Sequence, residues 1–167
     1  MKRHWSMTVF TVCWLALLAL QCNQQQQPAP DTRAADEATI RGINPAWFKA
    51  YNAGDVNSIV ALYAEDAVLN GPGAPAARGQ AAIREFLMKD VATSTAAGMT
   101  FNAGSTTDAG VTGDLGWEWG TFTVTDKSGA TVDRGKYVTV YARKDGKWLI
   151  IRDIWNSDGP MQVPGAK

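Results

Sequence analysis

From Ala35 onward, apolar side chains recur at three- and four-residue steps: Ile40, Ile43, Trp47, then Ala50 or Tyr51. This spacing predicts one face of a helix. Asn44-Pro45 interrupts it, so the helix either kinks there or begins at Pro45. Ala53-Gly54-Asp55 closes that helix and caps a short second one carrying Ile59, Val60, Leu62 and Tyr63. A brief strand is expected over Ala67–Asn70, followed by loop from Gly71 to Pro75. A third helix is predicted from Gln80 to about Val91, with Ile83, Phe86, Leu87 and Val91 on its apolar side.

The period then changes to two. Met99–Thr107, Leu115–Thr125, Thr131–Arg143 and Lys147–Trp155 are rich in β-branched and aromatic residues. They are separated by turn chemistry at Gly110–Asp114, Asp126–Gly129 and Lys144–Gly146. Short turns between successive strands imply an antiparallel meander. Helices first and strands last predict an α+β domain with the helices on one face of a sheet. There is no internal repeat, and Ser157–Lys167 has the composition of a loose tail.

The first residues change the picture of where this domain starts. Lys2, Arg3 and His4 precede an apolar run from Thr8 to Leu20, about 13 residues and too short to cross a bilayer. The pattern is that of an export signal. Cys22 stands where a lipoprotein signal places its acylated cysteine, whereas Gln21 is larger than the residue usual there, so lipidation and ordinary cleavage both stay open. The expected division is residues 1–22 as export signal, 23–34 as polar linker, 35–157 as one domain and 158–167 as tail. The protein is then periplasmic, or held at the membrane only through a lipid on Cys22.

Charge and composition exclude more than they identify. The chain has 16 basic and 16 acidic side chains, and loss of Lys2 and Arg3 leaves it slightly acidic, so no nucleic-acid groove is expected. Cys13, Cys22 and His4, the only cysteines and histidine, all precede the domain. A disulfide, a thiolate–imidazole zinc site, a cysteine nucleophile and a Ser-His-Asp arrangement are therefore excluded from it. Carboxylates, Lys, Tyr or oriented donors must supply any chemistry, and no cofactor is required.

Tyr51-Asn52-Ala53-Gly54-Asp55 and Leu62–Leu69, with Arg134–Val140, Asp145–Trp148 and Arg152–Ser157, carry a resemblance across nearly the whole domain. They resemble the nuclear-transport-factor-2-like superfamily, in its SnoaL-like, ketosteroid-isomerase-like branch. The resemblance implies a cone-shaped α+β barrel, three N-terminal helices packed on a curved, mostly antiparallel sheet, open at one end to a small ligand. It also implies a homodimer through the outer sheet face. The scaffold hosts isomerases, cyclases, dehydratases and plain binders. Ketosteroid isomerase uses an Asp base with a Tyr and a protonated Asp. Alignment puts the Tyr on Trp47, the base on Gly71 and the protonated Asp on Lys136, so steroid isomerisation by that route is not expected.

Strand alternation offers a separate estimate of the pocket lining. It groups Leu149, Ile151, Asp153 and Trp155; then Lys136, Val138 and Val140; then Trp117, Trp119, Thr121 and Thr123. In the family register Trp47, Trp117, Trp119 and Trp155 converge around Asp153 and Lys136, which favours a flat hydrophobic or aromatic ligand. Asp153, between Ile151 and Trp155, should be poorly hydrated, with a raised pKa suited to a general base. Against this stands a structural ion pair with Lys136. Lys136 either pairs with Asp153, holds a ligand carboxylate or enolate oxygen, or extends to solvent. The tryptophans either line a pocket or build core. Glu118 is expected on the opposite face, solvated or at a dimer interface. Asn70 is placed at the pocket mouth, orienting a ligand oxygen or capping a turn. Gly71-Pro72-Gly73 and Gly135-Lys136 carry no nucleotide signature. Three functions follow as alternatives: a cofactor-free isomerase, cyclase or lyase; a non-catalytic binder of a hydrophobic ligand; and a dimeric interaction module with a filled cone.

Overall fold

The computed structural model describes residues 31–104 and 108–159. The segment expected to be an export signal, most of the expected linker and the expected tail beyond Gly159 lie outside the described residues. Helix α1 (Arg33–Arg41) begins within the segment expected to be linker. Gly42 separates it from α2 (Ile43–Asn52). Pro45 has no N–H to return to the preceding turn, so the break falls just before it, and the ring sits where a helix start tolerates it. Asp55 caps α3 (Val56–Val60), its carboxylate accepting the Ser58 N–H at 3.0 Å. The chain then turns extended four residues earlier than Ala67: Tyr63 opens strand β1 (Tyr63–Asn70) rather than closing a helix. Strand β2 (Ala77–Arg78) precedes α4 (Gly79–Ala97), which runs six residues past Val91 and ends on Gly98 in the left-handed conformation, φ 68°.

Strands β3 (Thr100–Ala103), β4 (Asp108–Thr112), β5 (Leu115–Thr125), β6 (Thr131–Lys144) and β7 (Lys147–Ser157) complete the fold. The order across the sheet is β2-β1-β7-β6-β5-β3, with β4 also on β5. Every pairing is antiparallel except β1 with β7. The sheet is curved and does not close, and the helices pack on its concave face.

Asp108–Thr112 is a strand where Gly110–Asp114 was expected to be a turn. Gly110 is there for packing: a Cβ on it would lie 2.8 Å from the indole nitrogen of Trp117, its partner on β5.

Between helices and sheet lies one core, built on Ile40, Ile59, Leu69, Ile83, Leu87 and Ile150, all fully buried. Asp36 ties α1 to the β6–β7 hairpin. It pairs with Arg143 and accepts bonds from Thr32 Oγ1 at 2.7 Å and Trp148 Nε1 at 3.1 Å, while the Arg143 guanidinium lies 4.5 Å over the Trp148 ring. Arg143 first, then Thr32 and Trp148, hold the Asp36 carboxyl below the usual carboxylate range. Among the described residues no helix is long and apolar enough to cross a membrane.

Candidate functional site

The site is positioned by an irregularity in the last strand. Val140 pairs with Arg152 but Tyr141 pairs with Ile150, leaving Ile151 as an extra residue on β7. A bulge of this kind reverses the alternation beyond it. Trp148 and Ile150 face the core before the bulge, and Asp153 and Trp155 face it afterwards. The expected sharing of one face by Leu149, Ile151, Asp153 and Trp155 is thus corrected: only Asp153 and Trp155 share it.

Asp153 is 7% exposed and partnered on both oxygens. Oδ2 accepts from the Tyr63 hydroxyl at 2.6 Å, and Oδ1 from Thr139 Oγ1 at 3.2 Å. The Tyr63 hydroxyl in turn accepts from Trp47 Nε1 at 3.0 Å. Burial pushes the Asp153 carboxyl up to about 6, against the opposing pull of the Tyr63 and Thr139 hydroxyls and the Ile154 N–H. Burial, reinforced by the Asp153 charge, raises the Tyr63 hydroxyl well above its ordinary value.

A second carboxylate stands behind this one. Glu118 is fully buried, its Oε2 accepting from Asn44 Nδ2 at 2.7 Å and Tyr141 at 2.9 Å, and its Oε1 from Tyr137 at 3.3 Å. The expectation of an outward Glu118 is therefore reversed, and with it the lining assigned to β5 and β6. The inner face of β5 is Gly116, Glu118, Gly120, Phe122 and Val124; that of β6 is Gly135, Tyr137, Thr139 and Tyr141. Trp117, Trp119, Lys136 and Val138 lie on the convex side. Trp117 and Val138 are exposed, Trp119 is half-buried, and Lys136 pairs with Asp158.

The reason is steric. A Cβ at Gly120 would overlap the Tyr137 hydroxyl, one at Gly116 would overlap Ile40 Cδ1, and one at Gly135 the Phe122 ring. Small residues occupy the crowded concave side, so the tryptophans take the other. The signal was available in Phe122 and Val124, which share Glu118's phase. Asn70, at the end of β1, is also not part of the lining: its amide donates to the Asp153 carbonyl at 3.3 Å.

A cavity of about 400 Å³, open in part to solvent, lies in front of Asp153. Seven aromatic rings line it, and its polar members are Asn44, Asp90 and Asp153. Trp47 stacks on Tyr51 (centroids 5.0 Å, 16°) and meets Trp155 edge-on at 6.3 Å. Phe101 meets Tyr51 at 4.7 Å, and Tyr51 donates to Asp90 at 2.6 Å. Of the expected site residues, the structure brings together Asp153, Trp47 and Trp155, and leaves Lys136, Asn70, Trp117 and Trp119 outside. Among the described residues no group of three His, Cys, Asp or Glu side chains could hold a metal ion.

Helices laid on an unclosed, curved sheet are the architecture of the nuclear-transport-factor-2-like class. Solved structures agree on that architecture. A nuclear-transport-factor-2-like protein of unknown function from Pseudomonas putida is 22% identical over 77% of this chain and 91% of its own, with a TM-score of 0.69. A similar protein with a cystatin-like fold from Novosphingobium aromaticivorans is 21% identical over 77% and 86%, TM-score 0.68. A ketosteroid isomerase-like protein from Erwinia carotovora atroseptica is 21% identical over 79% and 100%, TM-score 0.58. Within this class the chain belongs to the SnoaL-like domain family, whose model matches residues 45–151. No curated protein matches it significantly.

Proposed function

We propose that this domain binds a small, largely apolar organic molecule in the aromatic cavity, with Asp153 as its polar anchor. The observation that carries the reading is a carboxylate, 7% exposed, facing open space walled by seven aromatic rings. Ligand sites of this kind are mostly apolar, with a few placed polar groups. Titration of tryptophan emission with a panel of small aromatic molecules tests it. Trp47 and Trp155 lie in the wall, so saturable quenching is expected for some of the panel, weakened several-fold by Asp153→Asn. Emission that none of the panel changes would refute it.

A second reading, a cofactor-free isomerase, cyclase or lyase with Asp153 as general base, is favoured by one observation: its carboxyl titrates near pH 6 while facing the cavity. Binding is preferred because oxyanion stabilisation needs donors aimed into the cavity. Trp47 Nε1 is given to Tyr63, the Asn44 amide to Glu118 and Tyr141, and Lys136 lies outside. Two further features belong to this proposal. The charged start and apolar run support export, which fractionation of cells checks by finding the mature chain outside the cytosol. The exposed apolar row on the convex sheet face supports a homodimer.

A further inference from the structure

Resting on that reading of the cavity, we infer that its ligand is an organic cation, entering with a protonated amine toward Asp153 and leaving its apolar part among the rings.

The polar atoms in and behind the hollow have most of their hydrogens committed. The Tyr63 hydroxyl gives its hydrogen to Asp153, and that of Tyr137 is directed to Glu118. The Asn44 Nδ2 group donates to both Glu118 Oε2 and the Tyr141 hydroxyl. With these hydrogens committed, the tyrosine oxygens and the carboxylates of Asp153 and Asp90 are left to accept rather than donate. No Lys, Arg or His is among the lining residues. An entering carboxylate or enolate would meet like charge at the floor and at the rim with nothing to donate to it. An ammonium carries only donors and a positive charge, and matches every polar group present.

The walls point independently to the same class. Trp47 and Tyr51 stack in the wall, and Trp155, Phe101, Phe122, Phe48 and Tyr137 complete the ring of aromatics. Aromatic faces carry the negative part of the ring quadrupole and attract cations, most strongly where water is excluded. Asp153 is the buried carboxylate of the lining, so the amine is directed to it and the carbon skeleton lies against the rings. At neutral pH the Asp153 carboxylate is ionised, as this pairing requires.

The test compares three probes of similar size and opposite charge on the purified protein at pH 7.5: benzylammonium, benzyl alcohol and benzoate, each by calorimetric titration. Benzylammonium is expected to bind at least tenfold more tightly than benzyl alcohol, with benzoate the weakest. Asp153→Asn should abolish that preference, bringing benzylammonium to the level of benzyl alcohol; Asp90→Asn, at the more hydrated rim, should reduce it about two- to threefold. Benzyl alcohol or benzoate binding as well as benzylammonium would overturn the inference and leave the aromatic pocket standing. Failure of all three probes, and of the aromatic panel, would overturn both. The three-probe comparison on the unmodified protein decides the matter even if Asp153→Asn does not fold.

Discussion

At the scale of single residues, Asp153 makes stability depend on pH in an unusual direction. Its carboxyl titrates near 6 in the fold, against an ordinary value near 4. The folded chain therefore holds a proton that the unfolded chain has released. Between about pH 4 and pH 6 stability falls as pH rises, by up to ~3 kcal/mol for a two-unit shift. Exposed acids act oppositely: Asp55 beside Ser58, Asp66 beside Lys144 and Asp126 beside Ser128 are all held low, and lose stability as pH falls. The difference between the wild type and Asp153→Asn isolates the first effect, since Asn still accepts from Tyr63. In urea titrations the variant should gain on the wild type as pH rises from 4 to 6, then keep a constant lead. A difference that does not change with pH would show that Asp153 does not titrate there. This residue was legible because an acid between Ile151 and Trp155 is conspicuous. Glu118 was not, because it lies between two tryptophans and alternation alone does not say which phase faces in.

The elements show why phase is the hard part. Helix faces could be read from Ile40 to Tyr51 and from Ile83 to Val91, because a three-to-four spacing has one apolar side. The hairpin turn at Asp145-Gly146 could be read as well, since both residues adopt positive φ there (50° and 75°). Strands β5 and β6 are apolar on both sides, with Trp117, Trp119 and Val138 opposing Phe122, Tyr137 and Tyr141, so hydrophobicity does not orient them. Glycine does. Gly120→Ala would place a methyl against the Tyr137 hydroxyl, and is expected to destabilise the protein by ~1–3 kcal/mol through overpacking. It should also weaken ligand titrations, because Tyr137 moves into the cavity. Equilibrium denaturation and the emission assay read the two effects separately.

At the scale of the whole molecule, the order of helices and strands and the motifs at both ends made the architecture readable, whereas nothing in them revealed the convex surface. There Trp119 pairs with Val138 and Val138 with Ile154, one row across three strands, with Val138 40% and Ile154 52% exposed. Single exposed apolar residues are unremarkable, but a contiguous row is what an association surface uses. Sedimentation is expected to find a dimer, and Ile154→Lys a monomer whose denaturation midpoint differs little at low concentration. A wild-type monomer at high micromolar concentration would remove the dimer.

The bulge at Ile151 absorbs one surplus residue, so that the final strand keeps on both sides of it the facing its neighbour dictates. Deleting that one position would join Ile150 directly to Arg152 in an unbroken ladder and leave the acid and its neighbouring indole facing inward, whereas pairing Ile151 regularly, without the bulge, would turn both to the convex surface and bring Ile154 inward.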